Sequence, residues 1–256
     1  MLERFSKSYR IINKEKFVEK LINFSVDQDY FILLNSNNNS DKYDLLCGYG
    51  VKSFIKSSEN SLTKLDNFFE LKKDWLFGYM TYDLRNEIEV LNDDNIDFIN
   101  MPNLYFFQPE IVWFVKGKNV TGLSFDKDLI DNDWKKFNEI SEKEKTENSN
   151  IVKLNLRNSK SEYINKVNKI KERIFRGDCY EMNFCFDLFS EYDEINPYDT
   201  YVKLNNYTKS PMSSFLKVND LFLISSSPER FLSKNGEDII SQPIKGTAKR
   251  GDSPEE

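Results

Sequence analysis

Two side chains able to move a proton or attack carbon, Glu229 and Lys245, stand on either side of an Asn235-Gly236 dipeptide in the stretch Leu221 to Gly251. Asn-Gly is the commonest choice where both residues of a tight turn take positive φ, so the stretch reads as two strands joined there. Pairing outward from that turn sets Glu229 opposite Gln242 and Lys245 opposite Ser226, which brings an acid and an amine to one end of a sheet. Pro228 and Pro243 blur this register, because proline donates nothing to a ladder. Such a pair has two readings. One is a solvated surface pair worth less than ~1 kcal/mol, which spacing alone favours, since catalytic groups are a minority of charged residues. The other is an active-site pair, in which a lysine kept neutral by desolvation is a nucleophile. The carboxylic acid beside it would protonate a leaving hydroxyl.

The elements that must carry this pair follow from pattern. Ser159 and Glu162 form a capping box. Tyr163, Ile164, Val167, Ile170 and Ile174 make an apolar stripe behind it, and Gly177 ends the helix. From Cys179 to Leu188 the residues alternate, with Tyr180, Met182, Phe184 and Phe186 on one side and Glu181, Asn183, Cys185 and Asp187 on the other. That alternation predicts a strand. Asn219-Asp220 predicts a second tight hairpin, joining strands at 213–218 and 221–226.

Earlier in the chain, Asn13 caps a helix over 14–24 and Asp29 to Asn35 reads as a buried strand. One or two strands fall between Tyr43 and Ile55. A second helix spans 60–71, and Trp75 to Tyr82 is a strand. Two more strands, at 104–116 and 120–125, meet near Gly117, and Asp131 to Ser141 is helical. The charged run Glu142 to Ser149 is either a linker or the solvated tail of that helix. The domain division expected is 1–150 and 151–256. Helices mixed with successive hairpins argue for an α+β fold of antiparallel sheets.

Three motifs resemble the signature of the chorismate-utilising enzymes: Ser226-Ser227-Pro228-Glu229-Arg230-Phe231, Pro243-Ile244-Lys245-Gly246-Thr247 and Gly177-Asp178-Cys179-Tyr180-Glu181-Met182-Asn183. The family includes anthranilate synthase component I and aminodeoxychorismate synthase component I. The lysine of Pro-Ile-Lys-Gly-Thr is typical of the latter, whereas anthranilate synthases usually have alanine there. The resemblance implies a two-sheet sandwich. It also implies that chorismate and ammonia are converted to 4-amino-4-deoxychorismate, with Mg²⁺, for para-aminobenzoate and folate synthesis. Lys245 would be the covalent nucleophile and Glu229 the proton donor. Gly246, Thr247, Glu181 and Asn183 would line the substrate, with Glu181 standing where the family usually has glutamine. Ammonia would come from a glutamine amidotransferase partner, since a chain without histidine cannot supply a Cys-His glutaminase. The alternatives are an anthranilate synthase component I and a noncatalytic binding protein on the same scaffold.

In the N-terminal half, Gly78-Tyr79 with Tyr82-Asp83-Leu84 resembles the family's regulatory region. Phe31 to Ser36 is similar to the segment that binds feedback tryptophan in anthranilate synthases, with Asn35 in place of its glutamate. Ser36, Pro211, Met212 and Ser213 fall where those relatives hold tryptophan, and a core filled by its own side chains is the other reading. The likeness to the catalytic domain begins near Ser161 and runs to the last residue, whereas relatives continue. A fragment is therefore expected, inactive as it stands, with the Mg²⁺ ligands beyond residue 256.

Composition sets the remaining bounds. Of 256 residues, 39% are hydrophobic and 14% aromatic, enough for a core. The net charge of −6 argues against a nucleic-acid surface. There is no histidine, which excludes Ser-His-Asp chemistry and histidine-ligated zinc within this sequence. Three cysteines without a CxxC pair suit a reducing cytoplasm. No run approaches the ~18 apolar residues of a membrane helix.

Overall fold

Strands rich in Phe, Ile, Leu and Val pair antiparallel throughout. The computed structural model describes residues 3–40, 42–89, 96–140, 152–191 and 195–244. The chain divides into two units, residues 1–143 with 197–256 and residues 144–196. In the first unit, seven strands form one sheet. They are β1 (Phe5–Arg10), β2 (Tyr30–Asn35), β3 (Leu45–Tyr49), β7 (Ile111–Lys116), β8 (Asn119–Ser124), β11 (Met212–Val218) and β12 (Leu221–Ser227). Their order is β1-β8-β7-β3-β2-β11-β12, so strands from both sides of residue 150 share one sheet. A smaller sheet holds β4 (Ser53–Ser57), β6 (Leu104–Gln108) and β5 (Phe77–Met80), in that order.

Alternation along β2 shows how the layers are made. Phe31 and Leu33 point to one face of the large sheet and Ile32 to the other. On the first face, Phe31, Leu33, Trp113 and Phe215 pack with α1 (Lys14–Phe24), α3 (Lys127–Glu139) and α5 (Pro197–Thr208) through Leu21, Phe137 and Tyr201. On the second, Ile32, Val112 and Leu216 meet Phe77, Tyr79 and Phe107 of the small sheet. Both faces are thus buried, and each large side chain placed there contributes about 1.5–3 kcal/mol. This is the two-sheet sandwich expected, with α2 (Ser61–Lys72) packed against β4 and β6. Gly78 of β5 permits the close approach of β6. A Cβ there would stand 1.9 Å from the Tyr105 carbonyl oxygen.

Local signals hold. The Asn13 side chain accepts the Lys16 N–H and starts α1. α2 is capped from afar instead: Glu87 accepts both the N–H and the hydroxyl of Ser61, at 2.5 and 2.6 Å. A 3₁₀ turn over Tyr82–Glu87 places that carboxylate. The strand expected over 104–116 is two. Pro109, which has no N–H to give a ladder, separates β6 in one sheet from β7 in the other. β1 was not foreseen in the sequence. Its pairing with β8 is non-local, and its side chains are mostly exposed.

The second unit contains α4 (Lys160–Arg176), β9 (Asn155–Leu156) and β10 (Leu188–Phe189). Ser159 and Glu162 make the predicted capping box, and Gly177 takes φ +83 to end α4. The strand predicted over 179–188 does not form. Only Leu188 and Phe189 pair, with Leu156 and Asn155. Among the described residues no other strand lies alongside, and alternation without a ladder partner does not hold a strand. Tyr163 instead meets Phe184 and Phe186, at 5.4 and 5.6 Å between ring centres. No helix of the described residues is long and apolar enough to cross a membrane.

Two polar networks tie the first unit together. Tyr49 Oη donates to Asp133 Oδ2 at 2.8 Å, and Trp113 Nε1 donates to the same hydroxyl at 3.0 Å, all of them buried. Arg4 clamps Asp74 in a bidentate pair, Nε to Oδ1 at 2.8 Å and Nη2 to Oδ2 at 2.7 Å. Gln108 adds a third bond to Asp74 at 2.7 Å. Burial pushes the Asp74 carboxyl up, but the bonds from Arg4 and Gln108 outweigh it and hold it below the usual range.

Two outcomes follow. Asp133→Ala leaves the buried Tyr49 hydroxyl proton without its acceptor and should lower stability by about 1–3 kcal/mol in urea unfolding. A folded-state pKa below the unfolded value, near ~3.9, gives stability at neutral pH that is lost as pH falls through the folded value. The stability gap between the natural protein and Asp74→Asn should therefore narrow between roughly pH 5 and pH 2. A gap constant over that range would assign the effect of Asp74 to something other than its charge.

Candidate functional site

The strand carrying Ser226 and Ser227 is one of the two edge strands of the large sheet, fixed by full pairing of β12 with β11 from Val218↔Leu221 to Met212↔Ser227. Asn219 turns that hairpin with φ +52. Pro228 then breaks the chain out of the sheet, and β13 (Arg230–Asn235) and β14 (Asp238–Gln242) form a separate two-stranded ribbon. Its turn differs from the Asn-Gly expectation. Asn235 pairs with Asp238, so Gly236 and Glu237 are the loop, and only Gly236 has positive φ, +62. A glycine alone at the first loop position is the type II′ pattern. The register slides with it. A bulge between Arg230 and Ser233 then sets Gln242 opposite Arg230, not Glu229 as expected.

Glu229 itself is exposed and well held. Its N–H donates to Ser227 Oγ at 3.1 Å, and its Oε1 accepts the N–H of Ile244 at 2.8 Å. Ile244 is the residue before Lys245 in sequence. Lys245, Gly246 and Thr247 lie outside the described residues. Glu181 and Asn183 are exposed, in the irregular segment of the second unit. Among the described residues, no group of three or more His, Cys, Asp or Glu is placed to hold a metal ion.

The positions matched to a tryptophan site come together at the end of β2 and β11. Ser213 pairs with Asn35, and Ser36 and Met212 follow on each strand. Ser213 Oγ donates to Tyr201 Oη at 3.4 Å, and burial pushes the Tyr201 phenol up. Sequence reasoning missed Asn37 and Asn205. The buried Asn35 Oδ1 accepts the Asn37 N–H at 3.0 Å. Asn37 Nδ2 donates to Asn205 Oδ1 at 2.9 Å and to Ser210 O at 2.8 Å. A cavity of about 60 Å³ remains, lined by Lys14, Glu19, Asn35, Asn37, Asn205 and Lys209. Ser36-Asn37-Asn38-Asn39-Ser40 has the composition of a loop, but an amide reaching α5 has no local signature.

Asn37 holds φ +49, which asparagine tolerates and alanine does not. Asn37→Gly keeps that conformation and loses only the amide. Asn37→Ala should therefore melt lower than Asn37→Gly, by about 1 kcal/mol of stability.

Comparison with known proteins places these residues in context. A family model described as chorismate binding enzyme matches residues 25–256. Aminodeoxychorismate synthase component 1 of Escherichia coli K12 is 31% identical over 98 residues, 38% of this chain and 21% of that protein. The Bacillus subtilis 168 protein of the same name is 26% identical over 199 residues, 70% of this chain and 41% of that protein. Anthranilate synthase component 1 of Lactococcus lactis IL1403 is 27% identical over 187 residues, 68% of this chain and 41% of that protein. The match thus spans well under half of each relative. The solved menaquinone-specific isochorismate synthase of Escherichia coli superposes with a TM-score of 0.45 and 10% identity, over 90% of this chain and 52% of that one.

Proposed function

The chain belongs to the family of chorismate binding enzymes, and from that membership we propose that it serves the amination of chorismate to 4-amino-4-deoxychorismate. The observation that carries this reading is a lysine in Pro-Ile-Lys-Gly-Thr, one residue beyond the amide that holds the Glu229 carboxylate. The names of the Escherichia coli and Bacillus subtilis relatives agree with it.

In this proposal the Lys245 amine forms a bond to ring carbon C2, the ring double bond shifts, and the C4 hydroxyl leaves as water with a proton from Glu229. Ammonia then adds at C4, the double bond shifts back, and the lysine amine departs from C2. Gly246, Thr247, Glu181 and Asn183 are the proposed substrate contacts. Free ammonia is scarce at neutral pH, so a glutamine amidotransferase partner is part of the proposal. Mg²⁺, which would offset the charge of the substrate carboxylates, enters from the family likeness alone. A cytoplasmic setting fits three free cysteines. Tryptophan has weaker support. Asn35 offers an uncharged oxygen to an effector's ammonium, and that oxygen already holds the Asn37 N–H. Anthranilate formation stays as the second reading, because the Lactococcus relative aligns with 68% of this chain, against 70% for the Bacillus subtilis protein.

The test uses protein expressed from its own gene, with chorismate, Mg²⁺ and ammonium, and separately with glutamine and a glutaminase. The expected product is 4-amino-4-deoxychorismate, with a Lys245-linked intermediate visible by mass spectrometry of quenched enzyme. Lys245→Ala should remove both, a loss of about 10³-fold or more in rate. Anthranilate and pyruvate, or full turnover by the variant, would overturn the proposal.

A further inference from the structure

The ribbon that carries Glu229 is closed by side chains where its backbone cannot close it. Pro228 precedes Glu229 and Pro243 precedes Ile244, and neither has an N–H to donate. Continued straight from Asn235↔Asp238, the pairing would set Arg230 against Pro243. The bulge between Arg230 and Ser233 sets it against Gln242 instead. There the side chains bond across the strands, Arg230 Nε donating to Gln242 Oε1 at 2.9 Å. The next donor along that strand is the Ile244 N–H, which Glu229 Oε1 accepts at 2.8 Å. The Glu229 carboxylate thus takes the place of a ladder carbonyl, and Ser227 Oγ holds the backbone beneath it through the Glu229 N–H.

We propose that Arg230 and Gln242 are positioning residues for Glu229. Their bond fixes the Pro243-Ile244 segment against β13, and the carboxylate docks on the amide so presented. That docking uses Oε1 and leaves Oε2, which has no partner among the described residues, as the oxygen that carries the transferred proton. The assignment of that proton rests on the function proposed above. The clamp rests on geometry alone. The bidentate choice of arginine matters little here, because one N–H of the guanidinium does the work. The acceptor oxygen on residue 242 is the required feature.

The experiment compares the natural protein with Gln242→Ala, Gln242→Glu and Glu229→Ala. The Glu variant keeps an acceptor for Arg230 and serves as the rescue. Amide hydrogen exchange at Ile244 is read by NMR, with Val112 and Leu216 in the core as folding controls. Gln242→Ala and Glu229→Ala should each speed Ile244 exchange by about tenfold with the controls unchanged, while Gln242→Glu stays near the natural rate. In turnover with chorismate and ammonium, Gln242→Ala should lower kcat by about tenfold and leave KM within about twofold, and Gln242→Glu should restore kcat. Unchanged Ile244 exchange in Gln242→Ala, or exchange in Gln242→Glu as fast as in Gln242→Ala, overturns the clamp. Exchange as expected in a protein that turns chorismate into anthranilate and pyruvate leaves the clamp standing and overturns the assigned reaction.

Discussion

The pairing of β11 with β2 is the contact on which the candidate site depends. Six residue pairs, from Ser213↔Asn35 to Val218↔Tyr30, attach a strand from late in the chain to one from its beginning. Among the described strands β12 pairs with the large sheet only through β11, because it is an edge strand. The same pairing sets Ser213 beside Asn35 and closes the asparagine-lined cavity. Two features that look separate in sequence, the Ser-Pro-Glu-Arg-Phe turn and the Phe31–Ser36 segment, are therefore mounted on opposite edges of one strand. The bonds are ordinary, but Phe31, Leu33, Phe215 and Leu216 lie buried at this seam, so apolar burial holds it.

What could be read in the sequence was what the chain specifies over a few residues. Asn13, the Ser159–Glu162 box, Gly177 and the Asn219 turn each act within one turn of backbone, and each stands where it was expected. The sandwich was legible through β2, whose unbroken apolar run suits a strand covered on both faces. The failures were non-local. Whether 104–116 is one strand or two depends on which sheets flank Pro109, and the cap of α2 comes from Glu87, twenty-odd residues away. The segment 179–188 had the period of a strand but, among the described residues, found a partner only at Leu188.

At the candidate site, residue types were legible and register was not. Asn-Gly predicted a hairpin in the right place, yet the loop took Gly236-Glu237 and the bulge moved the partners again. Each shift alters which side chain faces which, so the acid of the motif meets a backbone amide where Gln242 was expected. The asparagine network was invisible for a similar reason. Asn37 and Asn205 carry no pattern that links them, and only the packing of α5 against the sheet makes them neighbours.

The wide separation of β2 and β11 also governs how this molecule must be made. While the chain leaves the ribosome, β1, β3, β7 and β8 can assemble with β2, but the free edge of β2 stays uncovered until Val218 emerges. From the end of β8 at Ser124 to Val218, at the usual synthesis speed, that wait is roughly 5–20 s. Throughout it an exposed, strongly apolar strand is available to any passing strand, a hazard for aggregation. The residues made during the wait include all of the second unit. Slow decoding between the codons of residues 140 and 200 would prolong the exposure, so the yield of native protein should depend on translation speed in that interval more than elsewhere in the gene.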